Sequence, residues 1–507
     1  MNSDAVVQSK PFAITLDVGS SLLNKTGTWR TERPVYLDRL PPCNHACPAG
    51  ENIQAWLGHA EEGDYEAAWH QIMEDNPLPA IMGRVCYHPC EGACNRVGLD
   101  EAVGINSVER FLGDQALMYG WEVEPGTTTG QRVMIIGAGP TGLSAAFHLR
   151  RFGHEVTIFD ANPQAGGMIR YGIPKYRMPR EKLRAEVARI EAMGVEIKLN
   201  TEIDDVLATK QGGQFDAVFL CIGAQLPRRI EIVSDDEIPI LDAISVLRDT
   251  ELDNPSKLTG HVVVYGGGNT AIDVARTAIR MGAISANLIA FEAREHMPAH
   301  SFEVEEALEE GVVLSCLRSI KQVDGRSVTL ERMRATNERW PEPTGEFENI
   351  EADVIVQAIG QDIDVGFLQN IPSVEIKDGT VQVDGEMRTG AEGLFAGGDM
   401  VPSIRTVTAA IGHGKKAARN IDVYLREEKY VPPRKHEVVT SEMLNPWYYS
   451  DAPRTVRPML DVVRRKTGFA EIVGDLDEDN AAFEARRCMS CGNCFECDNC
   501  YGVCPDN

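Results

Sequence analysis

Apolar residues along this chain gather into short runs that end in glycine and give way to amphipathic stretches. Val133–Ile136 ends at Gly137, leads into PTGLSAAFHLRR, and is followed by a second run, VTIF, closed by Asp160. Val262–Tyr265 ends at Gly266 and repeats the order with NTAIDVARTAIR and ANLIAF. The run LFA passes through Gly397-Gly398-Asp399 into a long helical stretch. Two further runs, AVFLCIG and DVIVQAIG, end at Gly223 and Gly360. Short apolar runs bounded by glycine predict buried strands, and the 3.6-residue period between them predicts crossover helices. The expected fold class is α/β.

The turns carry the chemistry. Gly137, Gly139 and Gly142 stand in G-x-G-x-x-G spacing after a strand, with Pro140 opening the helix and Asp160 ending the next strand 23 residues after Gly137. In that context the glycines let backbone approach a pyrophosphate at a helix N-terminus, and the carboxylate can take ribose hydroxyls. Gly266, Gly268 and Ala271 repeat the spacing, with Asn269 and Thr270 at the helix start. Two such Rossmann-like units suggest one fixed flavin and one exchangeable nicotinamide nucleotide. Gly397-Gly398-Asp399 resembles the turn of flavin reductases, and that resemblance implies Asp399 on the flavin's ribityl chain. The flavin fold is then discontinuous, with Gly223 and Gly360 at the crossings. Where the second unit's second strand ends, Glu292 precedes Arg294. A carboxylate there disfavours a 2′-phosphate, so NAD(H) is expected over NADP(H).

Composition narrows the class. The 507 residues carry a net charge of −26, which disfavours nucleic-acid binding. The longest uncharged run, Val133–Leu149, is too short and too broken by Gly and Pro to span a bilayer. The N-terminus lacks a basic and an apolar signal region, so a cytoplasmic location is expected and disulfides are not. The 13 cysteines fall in two groups, with Cys221 and Cys316 as isolated, strand-like thiols. Cys43, Cys47, Cys86, Cys90 and Cys94 form the first group, for which a cubane is the better account. In the second, Cys488, Cys491, Cys494, Cys497, Cys500 and Cys504 end in Cys-Pro, and the last four match the ferredoxin run C-x2-C-x2-C-x3-C-P. That unbroken spacing favours iron–sulfur over zinc. It reads as a half-present ferredoxin module, or as one in which Cys488 and Cys491 supply the missing ligands.

With these motifs in this order, residues 40 to 425 resemble the glutamate synthase small-subunit family of iron–sulfur flavoproteins, GGMIRYGIPKYRMP at 166–179 being among the specific segments. Gly167 lies in that segment. The tail EARRCMSCGNCFECDNCYGVCPDN resembles the branch that serves dissimilatory sulfite reductase. The resemblance implies FAD, a nicotinamide nucleotide and [4Fe-4S] clusters. It also implies a cubane on Cys47, Cys86, Cys90 and Glu109, with Cys94 as the alternative fourth ligand. The family's first two cysteines for a second cubane are replaced by Val35 and Asp38, so one N-terminal cubane is expected and Cys43 has no assigned role. The relatives' Tyr-Arg-Arg, which goes with NADPH, is replaced by Phe291-Glu292-Ala293.

The expected layout is a helical [4Fe-4S] domain at 1–122, an FAD domain at 123–235 and 351–426, and a nicotinamide domain at 236–350. A proline-punctuated arm follows at 427–485, and the start of a ferredoxin-like module at 486–507. Such an arm is compatible with a homodimer. The expected activity is NADH:acceptor electron transfer, with no protein acid or base and with dissimilatory sulfite reductase as the protein partner. The rivals are an NADPH-dependent glutamate synthase small subunit, a ferredoxin:NAD(P) oxidoreductase, and a non-catalytic electron-carrier scaffold.

Overall fold

A computed structural model describes residues 39–492, apart from 236, 253–257, 337–339, 433, 435, 445, 447 and 448. Val35, Asp38, Cys494, Cys497, Cys500 and Cys504 therefore lie outside the described residues.

The apolar runs form two parallel five-stranded sheets of the same design. In the first, Leu394–Ala396, Ala217–Leu220, Arg132–Ile136, Glu155–Phe159 and Glu196–Lys198 lie side by side in that order. In the second the order is Val313–Ser315, Ser285–Ile289, His261–Tyr265, Val354–Gln357 and Ile240–Asp242. The strand before each glycine turn is central in its sheet, and burial on both faces is why these strands are apolar without alternation. Such sheets bind ligands beyond the carboxyl ends of the strands, where the strand order reverses. Both glycine turns stand at that point. The chain leaves and re-enters the first sheet through neighbouring segments, Leu226–Pro227 pairing antiparallel with Gln361–Asp362.

The N-terminal region is helical. Asp64 caps Tyr65–Met73 by accepting from the Ala67 amide at 3.1 Å. Helices Pro79–Val85 and Ile105–Tyr119 cross in near backbone contact, since a Cβ at Gly83 would lie 2.3 Å from the Arg110 Cα and one at Gly113 2.3 Å from the Ala80 nitrogen. That crossing sets Cys86, just past the first helix, beside Glu109 on the second.

Residues 427–485 do not extend away from the body. Arg465 pairs with Glu309 at 2.6 Å, Glu471 with Arg84 at 2.7 Å, and the Ile472 amide donates to the Tyr176 carbonyl at 3.1 Å. Helix Glu478–Arg486, capped by Asp477, then lies against Ile53–Glu62 and Ile105–Tyr119. Among the described residues no helix is long and apolar enough to cross a membrane.

Candidate active site

A cavity of about 320 Å³ lies where the two sheets face each other. Gly137, Gly139, Pro140, Asp160, Gly167, Gly223 and Asp399 line it from the first sheet, and Asn269 and Thr270 from the second. Gly137 has φ +113°, and a Cβ there would lie 2.5 Å from the Cys221 carbonyl oxygen. Gly142 is pressed still closer, its virtual Cβ 2.0 Å from the Gly137 oxygen. The turn is thus a bare-backbone cradle at the N-terminus of helix Pro140–Arg151. Asp160 accepts from the Ala138 amide at 2.7 Å and the Asn162 amide at 2.8 Å, which fixes its carboxylate at the edge of the cradle.

Gly398 stands against Thr141, and its amide donates to His413 Nδ1 at 3.1 Å. Burial pushes the Asp399 carboxyl above its ordinary range, and Arg405 partly offsets this. Helix Val407–Leu425, capped by Thr406, packs on Pro140–Arg151 through a Ser144 hydroxyl bond to the Ile411 carbonyl at 2.9 Å. Two helix N-termini therefore converge on one cavity. Bare turns, a placed carboxylate and converging dipoles fit a dinucleotide's pyrophosphate and ribose.

At the second turn, the Gly268 carbonyl opens helix Asn269–Arg280, and Ala271 is fully buried. Gly266 abuts the Ala358 oxygen, and Gly360 lies beside Arg228. Glu292 reaches back over the turn, its Oε2 2.7 Å from the position of a Cβ on Gly267. Arg294 is turned instead to Glu305.

Cys47, Cys86 and Cys90 gather beside the cavity with Glu109. Burial raises the Cys90 thiol, and Cys86, Glu91, Cys47 and Glu109 add to the rise. Burial, then Glu109, pushes Cys86 up to about 12, although Thr408 Oγ1 donates to its Sγ at 3.1 Å and the His88 amide at 3.2 Å. Glu109 is buried, raised by burial and by Glu51, and accepts from Asn76 Nδ2 at 2.8 Å. Three thiols and a carboxyl buried close enough to raise one another are a donor set suited to an iron–sulfur cluster. Residues 131–414 match the model of the pyridine nucleotide-disulphide oxidoreductases, and 32–121 match dihydropyrimidine dehydrogenase domain II, 4Fe-4S cluster.

The chain belongs to the pyridine nucleotide-disulphide oxidoreductase family.

This family member is an NAD(P)H-dependent iron–sulfur flavoprotein oxidoreductase. It is 35% identical over 498 residues to the NADP(+)-dependent formate dehydrogenase subunit beta of Moorella thermoacetica, covering 89% of this chain and 70% of that one. The NADPH-Fe(3+) oxidoreductase subunit beta of Geobacter sulfurreducens is 32% identical over 506 residues, covering 89% and 75%. The NAD-dependent dihydropyrimidine dehydrogenase subunit PreT of Escherichia coli O157:H7 is 32% identical over 388 residues, covering 76% and 91%. Among solved structures, T. acidophilum thioredoxin reductase has TM-score 0.46 at 20% identity, covering 58% of this chain and 98% of that one.

In this oxidoreductase several lining residues escaped the sequence reading. Val85 and Tyr87, flanking Cys86, line the cavity, as do Thr141, Arg177 and Arg405. Tyr87 stacks on His300 of the second unit with ring centroids 3.7 Å apart and planes at 19°. Arg177 donates to Asp273 at 2.8 Å and also pairs with Glu303. Only its place in GGMIRYGIPKYRMP signalled it. Cys221 is a buried thiol 3.3 Å from the Ile136 carbonyl, and Cys316 follows a strand end.

Cys488 and Cys491, expected with a tail run whose other cysteines lie outside the described residues, stand against Cys43 and Cys94. The arm folds back on its own chain, and Cys488 begins where helix Glu478–Arg486 meets the N-terminal helices.

Proposed function

We propose that the chain is an NADH:acceptor oxidoreductase that moves electrons between NAD(H), FAD and [4Fe-4S] clusters and a protein partner. One observation supports the relay: Cys86 is bonded to Thr408 on the helix that opens at the dinucleotide cavity, and its neighbours Val85 and Tyr87 line that cavity. A flavin held there would supply the conversion between two-electron hydride transfer and single-electron transfer. The protein's part is placement. Gly137, Gly139, Pro140, Gly142 and the start of Val407–Leu425 hold the flavin pyrophosphate, Asp160 its ribose, and Asp399 its ribityl chain. Gly266, Gly268, Asn269, Thr270 and Ala271 hold the second nucleotide, and Cys47, Cys86, Cys90 and Glu109 hold the cluster.

The preference for NADH rests on Glu292, whose carboxylate overhangs the Gly267 turn, while Arg294 is engaged by Glu305. A 2′-phosphate would meet the fixed negative charge of Glu292, with the Arg294 guanidinium turned to Glu305. The relatives include both NADP- and NAD-dependent proteins, so the residues of this chain carry the choice. The acceptor is taken to be dissimilatory sulfite reductase, on the resemblance of the run from Glu484.

Stopped-flow bleaching of the flavin band with NADH and NADPH tests the reading. NADH is expected to be the better donor. Glu292→Arg with Ala293→Arg should move the preference toward NADPH by about one to two powers of ten, or about 1.4–2.8 kcal/mol. A native preference for NADPH removes Glu292 from its role. No bleaching by either nucleotide removes the enzyme reading. Electron transfer from NADH to purified dissimilatory sulfite reductase tests the partner, and its failure alongside rapid dye reduction assigns another acceptor.

A further inference from the structure

Four cysteines from three distant stretches of chain meet on one small cavity: Cys43, Cys94, Cys488 and Cys491. Its volume is about 20 Å³, and Leu57 and Ile105 contribute apolar walls. None of the four is in a disulfide. Burial pushes the Cys43 thiol up to about 12, and Cys94 and Cys491 beside it add to the rise.

From this juxtaposition we infer that Cys43, Cys94, Cys488 and Cys491 ligate a second [4Fe-4S] cluster, half of whose thiolates come from the C-terminal segment. The site replaces the two ligands lost at Val35 and Asp38 and gives Cys43 a role. Two chain segments tie it to the first cluster site. The Cys47 amide donates to the Cys43 carbonyl at 3.1 Å, so these two cysteines lie one turn apart. The Cys94 amide donates to the Glu91 carbonyl at 3.1 Å, one residue after Cys90. Each segment therefore serves both sites, the interleaving that two-cluster ferredoxins use.

The C-terminal pair is held for ligation rather than merely nearby. Ser490 takes φ +49°, folding Cys488-x2-Cys491 into a tight loop, and its amide donates to Cys488 Sγ at 3.4 Å. Gln54 Nε2 donates to the Ser490 hydroxyl at 2.7 Å, and the Arg39 amide to the Gly492 carbonyl at 3.1 Å. Amide donors to sulfur suit thiolates that carry cluster charge. A cubane bonds each thiolate to a different iron and spreads them.

This inference rests on the reading of the chain as an iron–sulfur relay, yet its test needs no turnover. The full chain and its Cys43→Ala, Cys94→Ala, Cys488→Ala and Cys491→Ala variants, purified anaerobically, are compared for iron, acid-labile sulfide and the electron paramagnetic resonance of the dithionite-reduced state. All four should lose, or convert to a three-iron form, the same cluster signal, with about one to four irons lost per chain. The Cys43→Ala/Cys488→Ala double variant should lose that one cluster's signal entirely and no more than about four irons per chain, as two ligands of a single cluster must. A Cys43→Ala protein that keeps the signal lost in Cys488→Ala overturns the site, as does zinc in place of iron. Flavin content and bleaching by NADH report separately on the fold and the dehydrogenase reading. Should the variants fail to fold, alkylation of the unsubstituted protein decides: the four thiols should become reactive together, and only after iron is chelated. Independent labelling of Cys43 overturns the proposal.

Discussion

Replacing Arg487 with alanine should open the C-terminal segment without disturbing the dinucleotide cavity. The guanidinium is fully buried and donates to the carbonyls of Ala452, Ala102 and Glu101 at 3.0, 2.9 and 2.7 Å, and to Asp100 Oδ1 at 3.1 Å. It also pairs with Glu484 at 2.5 Å, a carboxylate with no exposed surface. Removing one partner of a buried pair costs about 3–5 kcal/mol. Glu484 keeps two donors, the Gly104 and Thr455 amides at 2.7 and 2.9 Å, so the lower end, about 3 kcal/mol, is the better figure. At 1.4 kcal/mol per tenfold, the opened population rises about a hundredfold. Hydrogen exchange read by mass spectrometry measures this at the Gly104, Ala452 and Thr455 amides, each of which donates to a carboxylate of the lock. Amides of strands Arg132–Ile136 and His261–Tyr265 serve as internal controls. An Arg487→Lys variant should recover little, because an ammonium cannot span the fork of acceptors. Unchanged exchange at all three amides, or equal acceleration in the control strands, would refute the reasoning.

Gly142→Ala should strip the flavin, since its Cβ would sit 2.0 Å from the Gly137 oxygen and force the cradle apart. A stoichiometric flavin absorbance in that variant contradicts the assignment of the turn. His148 is held neutral by burial, then by Lys415 and Arg151, with its pKa pushed down to about 3. A folded pKa below the unfolded value of about 6.5 gives stability that is complete above pH 6.5 and lost as pH falls toward 3. Between pH 7.5 and 5.5 this group alone should remove about 1.4 kcal/mol, and urea unfolding of His148→Leu should show a loss smaller by that amount; an identical pH dependence discounts the group.

What the sequence disclosed was local. A strand, a glycine turn and a helix form within about 30 contiguous residues, so both cradles and Asp399 could be placed from spacing alone. Tyr87 could not. It is one residue past Cys86, and only tertiary packing puts its ring on His300, more than 200 positions away in the chain. The meeting of Cys43 with Cys94, Cys488 and Cys491 was likewise beyond local reading. Cys43 and Cys488 are separated by nearly the whole chain, and no periodicity links them. The arm was legible as irregular from its prolines, yet the contacts of Glu471 and Arg465 depend on partners that composition does not specify.

A buried ion pair is poor testimony for stability, since apolar replacements often do as well, but it can fix register. The polar cluster beneath the C-terminal loop has that character. Asp100 accepts from Arg96 at 2.8 and 2.7 Å and from Arg487 at 3.1 Å, while Arg96 donates to the Arg487 carbonyl at 2.6 Å. Burial opposes ionisation of Asp100, but Arg96 and the Ala452 and Glu101 amides hold its pKa down to about 2. Arg96 lies two residues past Cys94, and Arg487 immediately precedes Cys488. One carboxylate thus clamps together the two segments that bring thiols to the second cavity, and slippage of either by one residue would leave a buried guanidinium without its fork of acceptors. On this argument the lock exists to hold ligands from opposite ends of the chain at a fixed separation. Arg487→Ala should therefore weaken the Cys43–Cys94–Cys488–Cys491 cluster signal before it changes flavin content, whereas a purely structural lock would lose both together.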